Sequence, residues 1–469
     1  MILGLARQGV ALARYLAEQG AQVVVSDRQT PAELAPQIAA LSDLPIEFVL
    51  GGHPDSLLEG ASLLCLSGGV SADLPLARLA RDRGIPLSND SQIFLEAVPA
   101  GVLVVGITGS AGKTTTTTLV GRMIEQGSGG AGERGGKSAS PPPPNTPAPL
   151  PGAHVWVGGN IGRPLVGDLP RMQPGDVVVM ELSSFQLEIM TRSPQVAAVL
   201  NITPNHLDRH GTMEAYTAAK ANILRFQDVP SVAVLGRDDP GASALAPLVR
   251  GQVHYFSAQG PVADGAYLDG DRLMLARGGQ AEPVATPADI HLRGRHNVLN
   301  VLAAIAISGA VGATPPAMRA GLSGFTGVEH RLEWVRDLNG AHWYNDSIAT
   351  APERVIAALR SFDEPLELLL GGRDKNLPWA ELAGLVQRRV KAAVLFGQAG
   401  PLIEAALSQA GVPASRRPRF AHLEQAVAAA AELAEPGDVV LLSPGGTGYD
   451  EFHDFVERGE KFKQWVRAL

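Results

Sequence analysis

The sequence has almost no cysteine, since Cys65 is the only one among 469 residues. A single cysteine excludes an internal disulfide framework and any metal site built from several cysteines, and it is typical of a reducing compartment. The apolar runs, such as residues 298–307, fall well short of the ~20 residues that a membrane helix requires. The start of the chain also lacks the segments of a secretory signal. These absences predict a cytoplasmic protein that does not span a membrane.

The chain also has no excess of positive charge. It contains 39 Lys and Arg against 47 Asp and Glu, which gives a formal net charge of −8. This balance gives no indication of a nucleic-acid partner. Hydrophobic residues make up 45% and charged residues 18% of the chain, as in ordinary globular proteins. At ~100 to 200 residues per domain, the length predicts about three domains, each with its own core.

Short apolar runs alternate with helical patterns along the chain, which predicts parallel sheets covered by helices. One helical pattern, residues 296–310, follows the second series of strands. The alternation predicts an α/β protein of three domains, with boundaries near residues 100 and 327. The strand patterns lie at residues 22–26, 47–50, 63–66, 102–107, 177–180, 196–200, 232–235, 366–370, 392–396 and 439–442.

Residues 127–152 interrupt this order with 7 Gly, 7 Pro and 3 Ser among 26 positions. A segment with so few apolar side chains cannot offset its ordering entropy by burial. We therefore expect a disordered surface insertion between a helix and a strand. A proline-rich ligand for a partner protein is the alternative interpretation.

The N-terminal turn contains Gly4, Ala6 and Gly9 at the three glycine positions of a GxGxxG-like pattern, and Asp27 follows the next strand. Ala6 breaks the glycine pattern. The imperfect pattern therefore favours a nucleotide-binding α/β domain over a specific dinucleotide site. Only Ile2 and Leu3 precede the turn as strand residues. A buried parallel strand usually has four or more residues, so we expect a natural chain that extends upstream or has an alternative start.

The strongest local pattern is GSAGKTT at residues 109–115, between a strand and a helix. Its glycines allow backbone N–H groups to approach phosphate oxygens, and the helix start adds a positive field. Lys113 supplies a charge to the phosphates, and Thr114 supplies a hydroxyl ligand for Mg²⁺. Ile107 stands where the strict pattern has glycine, so this shortened variant argues against a generic GTPase or transport ATPase. A structural turn with a chance GKT is the alternative.

Two further polar segments follow predicted strands, where open parallel sheets bind ligands. Glu181 begins ELSSFQLE, and His206 lies in LNITPNHLDRHG. Each residue alone has an ordinary structural explanation, as a cap, an ion-pair partner or a packed histidine. Their common location makes them candidate oxygen and nitrogen ligands for a second Mg²⁺ beside Lys113.

The order of eight segments carries a family resemblance. With GITGSAGKTTT, ELSSFQLE, LNITPNHLDRHGTMEAYTAAK, GRHNVLNVLAAIA, GVEHRLE, NDSIAT, LLLGGRDK and LLSPGGTGYDEFHDFVERG in this order, residues 106–459 resemble the Mur ligases of bacterial cell-wall synthesis. ELSSFQLE, NDSIAT and the phenylalanine-containing helix after LSP resemble the members that add D-glutamate to UDP-N-acetylmuramoyl-L-alanine. The resemblance implies a Rossmann-like UDP-sugar domain (1–99), a central P-loop ATPase domain with a parallel-rich sheet (100–327) and a Rossmann-like amino-acid domain (328–469).

The resemblance also implies the reaction and its residues. ATP phosphorylates the alanyl carboxylate, and the amine of D-glutamate attacks the acyl phosphate to give an amide, ADP and phosphate. The implied catalytic residues are Lys113, Glu181, His206, Lys220 and Asp346. The implied ATP contacts are Gly109, Ser110, Ala111, Gly112, Lys113, Thr114, Thr115, Asn297, Asn300, Arg331 and Asp346. The implied UDP-sugar contacts are Arg7, Gln8, Asp27, Arg28, Ser67, Gly69, Asn160 and His206, and those of D-glutamate are Thr350, Lys375 and Phe455. Two Mg²⁺ ions would be held by Thr114, Glu181, His206 and Lys220, the last as a carbamate.

Three positions depart from the family pattern. Ile348 stands where many relatives have lysine, Asn205 where aspartate is common, and Gly448 where a serine would contact the D-glutamate carboxylate. The isoleucine at 348 weakens any role for a lysine at the transferred phosphoryl group. The glycine at 448 means that Lys375 and backbone N–H groups must bind more of the D-glutamate carboxylate.

Two other interpretations compete with this one. A folate polyglutamate synthase or another amino-acid ligase could use the same ATPase, but ELSSFQLE and NDSIAT argue against it. A nucleotide-gated switch could retain the phosphate loop without catalysis, but Lys113, Glu181, His206 and Lys220 argue against it. We expect a monomer that binds ATP, D-glutamate and the UDP-linked substrate, without nucleic acid or membrane partners.

Overall fold

The computed structural model describes residues 1–128, 152–292, 294 and 296–469. Most of the predicted insertion at 127–152 lies outside the described residues, although Gly127 and Ser128 belong to the end of a helix. Contacts divide the chain into two compact units, residues 1–290 with 296–324 and residues 291–295 with 325–469. Within the described part of the chain, no helix has the length and apolar character needed to cross a membrane.

The first sheet has five parallel strands in the order β3-β2-β1-β4-β5. Gly9 allows the first helix to start against the N-terminal turn, because a Cβ atom there would lie 1.9 Å from the carbonyl oxygen of Gly4. The strands are β1 Ile2–Leu3, β2 Val23–Asp27, β3 Ile46–Leu50, β4 Leu64–Leu66 and β5 Leu87–Ser88. The helices are α1 Arg7–Glu18, α2 Ala35–Ala39, α3 Pro75–Asp82 and α4 Asp90–Ala97.

The central sheet has nine strands in the order β14-β13-β12-β11-β10-β9-β6-β8-β7. The strands from β7 to β12 in this order pair in parallel, and β13 and β14 are antiparallel additions. The strands are β6 Leu103–Thr108, β7 Val155–Gly159, β8 Val177–Glu181, β9 Val196–Val199, β10 Val232–Gly236, β11 Gln252–Ser257, β12 Gly265–Asp269, β13 Arg272–Arg277 and β14 Gln280–Ala285. The helices are α5 Lys113–Ser128, α6 Ser184–Leu187, α7 Leu207–His210, α8 Met213–Arg225, α9 Pro240–Ser243, α10 His296–Ala310 and α11 Pro315–Leu322.

The third sheet lies in the second unit and has the order β15-β16-β19-β17-β18, with only β15 antiparallel to its neighbour. The strands are β15 Glu333–Leu338, β16 Ala341–Asn345, β17 Leu366–Gly371, β18 Val390–Phe396 and β19 Val439–Gly445. The helices are α12 Pro352–Leu359, α13 Ala380–Arg389, α14 Gly400–Gln409, α15 Leu423–Leu433 and α16 Phe455–Ala468. The predicted three-domain α/β class with parallel-rich sheets is confirmed, and the domain boundaries at 99 and 327 stay predictions.

The register of the central sheet brings the predicted site loops to one edge. Strand β6 lies between β8 and β9, and Ile107 is opposite Glu181 while Thr108 is opposite Val199. Because neighbouring parallel strands end at the same edge, the loops after β6, β8 and β9 meet there. This edge is also where the strand order changes direction, as in other open α/β sheets that bind ligands.

Candidate active site

The phosphate loop leaves β6 at Thr108 and enters α5 at Lys113. Gly112 has φ +83° and a Cβ atom there would lie 2.2 Å from Oδ1 of Asn300, so the turn requires glycine. Lys113 Nζ donates to the carbonyl oxygen of Gly109 at 2.8 Å. The ammonium group and the first turn of α5 therefore offer positive charge at one place, as an anion site requires.

Asn201, which sequence reasoning missed, holds the loop from the neighbouring strand. Its Oδ1 accepts from Ala111 N at 2.8 Å, and its backbone oxygen accepts from Ser110 N at 2.9 Å. Ser110 Oγ is also 2.9 Å from the hydroxyl of Tyr216 on α8. Its position directly after the apolar run of β9 is the sequence feature that could have identified Asn201 as a site residue. These contacts fix the loop before any phosphate arrives.

Thr114, Glu181 and Asn160 meet beside the loop. Thr114 Oγ1 donates to Oε2 of Glu181 at 2.8 Å, and Asn160 Nδ2 donates to Oε1 of the same carboxylate at 2.7 Å. Glu181 is 2% exposed. A buried carboxylate beside a hydroxyl provides the hard oxygen ligands that Mg²⁺ prefers, so these side chains fit that ion.

Within the described residues no group of three or more His, Cys, Asp and Glu side chains could hold a metal ion. Magnesium sites often use one or two carboxylates and complete their ligands with phosphate oxygens and water. The Thr114 and Glu181 pair beside a phosphate loop matches this type of site rather than an all-protein cage.

Lys220 lies under the phosphate loop and is 1% exposed. Its Nζ donates to the carbonyl oxygen of Gly109 at 3.0 Å, the oxygen that also accepts from Lys113. Burial lowers the pKa of Lys220 to about 6, and the nearby charge of Lys113 adds to this effect while Glu181 opposes it. The Lys220 amine is therefore largely neutral at pH 7, which is the form that reacts with CO₂.

His206 precedes α7 in the left-handed backbone region, with φ 53° and ψ 32°. Its ring packs against Phe185 on α6, with ring centroids 5.0 Å apart. This backbone conformation is uncommon for a residue other than glycine and is often found at functional sites. The structure places Glu181 at the end of β8 and His206 in the segment after β9, and these two strands flank β6.

A pocket opens beside the phosphate loop at the ends of β9, β10 and β11. Gly236 forms part of its wall, and a Cβ atom there would lie 2.3 Å from the carbonyl oxygen of Leu200. Asn300, predicted from sequence, also lines it and donates to Asn297 Oδ1 at 2.7 Å. The walls combine apolar side chains with two amide and two carboxyl side chains, and such a lining suits a flat heterocycle with polar edges. The lining residues are Leu200, Asn201, Gly236, Asp238, Asp239, Phe256, Leu299, Asn300 and Ala303.

Six of the eight predicted UDP-sugar residues lie at the carboxyl edge of the first sheet, whereas Asn160 and His206 lie beside the central sheet. Asp27 Oδ2 accepts from Leu5 N at 2.7 Å, and Gln8 Oε1 accepts from Gly68 N at 3.0 Å. Ser67 is buried at the end of β4, whereas Arg7 and Arg28 are exposed. The carboxylate and the amide thus shape two adjacent loops, and the arginines remain accessible to an anionic ligand.

In the second unit, Asp346 is buried and accepts from Ser443 Oγ at 2.8 Å. Burial raises its pKa to about 7, although the Ser443 hydrogen bond and the Arg331 charge act in the opposite direction. Lys375 Nζ donates to Thr350 Oγ1 at 3.1 Å, and burial lowers the pKa of this lysine. Phe455 contacts the ring of His330, with centroids 5.9 Å apart. Two of the three predicted D-glutamate residues therefore touch each other.

Two features of the second unit were not predicted from sequence. Arg458 is fully buried and donates to the carbonyl oxygens of Gly446 at 3.0 Å and Ser347 at 2.8 Å. At Gly448 a Cβ atom would lie 2.8 Å from the carbonyl oxygen of Asp454. Glycine therefore suits this position, because the backbone of Asp454 lies close to it. A serine here would require a local shift of the backbone.

Comparison with family models matches most of the chain in three segments. Residues 1–89 match the MurD-like N-terminal domain of Mur ligases, residues 107–308 the Mur ligase middle domain, and residues 330–446 the Mur ligase glutamate ligase domain. The chain is 40% identical over 470 residues to the UDP-N-acetylmuramoylalanine--D-glutamate ligase of Symbiobacterium thermophilum, covering 100% of this chain and 97% of the relative. It is 39% identical over 472 residues to the ligase of the same name from Geobacillus kaustophilus, with the same coverage.

Solved structures share the fold at lower sequence identity. MurF of Acinetobacter baumannii superposes with a TM-score of 0.56 and 17% identity, covering 96% of this chain and 92% of that chain. The UDP-N-acetylmuramate-alanine ligase MurC of Thermotoga maritima has a TM-score of 0.53 and 18% identity, covering 100% and 98%. At these identities the likeness supports the fold.

Proposed function

The chain belongs to the Mur ligase family, and from this premise we propose that it joins D-glutamate to UDP-N-acetylmuramoyl-L-alanine in an ATP-dependent reaction of peptidoglycan precursor synthesis. The observation that carries the proposal is one cluster of side chains. Lys113, Thr114, Glu181 and Lys220 converge on a single phosphate loop, in a chain with 40% full-length identity to a D-glutamate ligase.

The chemistry requires activation of a carboxylate. A carboxylate resists nucleophiles because oxide is a poor leaving group, and transfer of the γ-phosphoryl group of ATP converts that oxygen into part of a phosphate leaving group. The amine of D-glutamate then attacks the carbonyl carbon, an amide bond forms, and phosphate leaves. Lys113 and the backbone N–H groups of the loop bind the β- and γ-phosphates and stabilise the charge that develops during transfer.

Mur ligases use ATP together with Mg²⁺. Thr114 and Glu181 would hold one ion, and Glu181, His206 and carbamylated Lys220 would support the second. When bound, the ions supply positive charge to the phosphate oxygens and the substrate carboxylate. Asn201 and Tyr216 keep the loop in place, and the burial of Glu181 excludes water from its carboxylate.

The remaining roles are those that the family resemblance implies. In this proposal Asn297 and Asn300 contact the adenosine of ATP in the pocket beside the loop, and Arg331 and Asp346 contact its ribose and phosphates. The carboxyl edge of the first sheet and Asn160 bind the UDP-sugar. The proposal includes a monomeric cytoplasmic enzyme with domains 1–99, 100–327 and 328–469.

Phosphate release coupled to amide formation tests the function. Rapid release is expected only when ATP, UDP-N-acetylmuramoyl-L-alanine and D-glutamate are all present. L-glutamate, L-lysine and meso-diaminopimelate serve as competing acceptors. Slow ATP hydrolysis that needs neither UDP-N-acetylmuramoyl-L-alanine nor D-glutamate would indicate a nucleotide switch. Efficient use of another acceptor would indicate a different ligase specificity.

Lys375→Ala is expected to raise the KM for D-glutamate at least ~10-fold, because a charge-assisted hydrogen bond contributes about 1.5 to 3 kcal/mol. Gly448 has no hydroxyl group to offer to D-glutamate. Lys375 and Thr350, which contact each other, are the side-chain donors that match the family's D-glutamate positions. The KM values for ATP and the UDP-linked substrate should change little. Lys461→Ala, at an exposed position of α16, is the matched control. An unchanged KM for D-glutamate would remove Lys375 from the acceptor site.

A further inference from the structure

Arg209 joins the loops of two sheets. It lies on α7, three residues after His206, and its Nη2 donates to the carbonyl oxygen of Val70 at 2.7 Å. Its Nη1 makes a longer contact of 3.5 Å with the carbonyl oxygen of Gly69. Both carbonyl groups belong to the loop after β4, which we assign to the UDP-sugar. One guanidinium group therefore links this loop to the His206 segment.

The same guanidinium group is held on its other side by an aromatic cluster. Its Cζ lies 3.9 Å from the centre of the Phe185 ring, and that ring also contacts His206 and His210 at 5.0 and 5.4 Å. Glu188 Oε1 lies 3.6 Å from Nη2 of Arg209, and the arginine side chain is only 18% exposed. A planar cation that stacks on a ring and donates in its own plane is a geometry that lysine cannot reproduce.

We propose that Arg209 is a positioning residue for the UDP-linked substrate. By fixing the carbonyl groups of Gly69 and Val70, it sets the direction in which the N–H groups of that loop face the ligand. Through Phe185 it also supports the ring of His206 at the other end of the same substrate. The inference rests on the proposed function, because it assigns the loop after β4 to the UDP-sugar.

The test measures substrate affinity separately from turnover. Arg209→Ala is expected to raise both the KM and the calorimetric Kd for UDP-N-acetylmuramoyl-L-alanine at least ~10-fold, since misplaced binding groups lose affinity steeply. The KM for D-glutamate should stay within about two-fold. Arg209→Lys should give an intermediate Kd, because one hydrogen bond can remain while the ring stacking is lost. Arg225→Ala, at the exposed end of α8, is the matched control and should leave both constants unchanged.

The outcomes separate this inference from the function on which it rests. A merely structural role would lower the melting temperature or the active fraction without changing the KM or Kd of the UDP-linked substrate, and that result overturns the proposal. If Arg209→Ala does not fold, the Kd of Arg209→Lys decides, and a wild-type value for that variant overturns it. An unmodified enzyme that binds and ligates nothing contradicts the proposed function itself.

Discussion

Lys113→Ala is expected to lower kcat by ~10³-fold or more, because a preorganised positive charge beside a transferred phosphoryl group is worth several kcal/mol. In the structure Lys113 is the cation within the phosphate loop, and its ammonium group contacts the carbonyl oxygens of Gly109 and Ser110. Both carbonyl groups are part of a loop that Asn201 also holds, so the loop should keep its shape without the lysine. The measurement is the initial rate of phosphate release with all three substrates.

Folding must be checked beside the rate. The melting temperature of Lys113→Ala, followed by circular dichroism, should stay close to that of the unmodified protein. Calorimetric affinity for the UDP-linked substrate in the absence of ATP should also be retained, since Lys113 lies at the nucleotide loop. A correctly folded variant that keeps most of its turnover would contradict the assignment of residues 109–115 as the phosphate site.

Lys220→Ala should be nearly inactive, with an expected loss comparable to the ~10³-fold loss at Lys113. The structure gives the physical reason, because Lys113 and Lys220 both donate to the carbonyl oxygen of Gly109. A neutral Lys220 amine adds no charge beside the Lys113 ammonium group, whereas a carbamate on Lys220 would be attracted to it. Formate or acetate should partly restore turnover to the alanine variant by returning an anion to the vacated space.

The modification itself depends on pH in a defined direction. Because the pKa of Lys220 is lowered to about 6, its amine is neutral above that pH and can add CO₂, and it becomes protonated as the pH falls through that value. Carbon-13-labelled bicarbonate should therefore give a carbamate signal at pH 8 that disappears below about pH 6. Intact mass measured under native conditions provides a second readout.

The chain offers an internal control for this chemistry. Lys463 is also buried but pairs with Glu460 at 2.8 Å and Glu333 at 2.9 Å. Burial acts to lower the pKa of Lys463, yet its hydrogen bonds to these two carboxylates raise the pKa overall. It should therefore stay protonated and show no carbamate signal. An active enzyme in which Lys220 is only a free amine would refute the modification.

The sequence by itself determined those features that depend on local patterns. Apolar runs located β6, β8 and β9, and the helix predicted at 296–310 has these bounds in the structure. Because the ends of neighbouring parallel strands meet at one edge, polar residues directly after such runs could be assigned to one site. Glu181 was found in this way, and Lys113 was found from the GSAGKTT pattern that follows β6. The strands between residues 252 and 285 were missed, since polar residues interrupt several of them, as in QVHYFS and QAEPVA, and they are partly exposed, so they lack a continuous apolar run.

Only the tertiary structure decided which distant side chains share an environment. Lys220 lies on a helix surface that sequence alone would place in solvent, yet it is buried against a carbonyl group 111 positions earlier in the chain. Arg209 reaches carbonyl groups 139 and 140 positions away. A pKa, an ion pair or a pocket wall depends on neighbours in space, because desolvation and Coulomb energies change with distance and burial rather than with sequence separation.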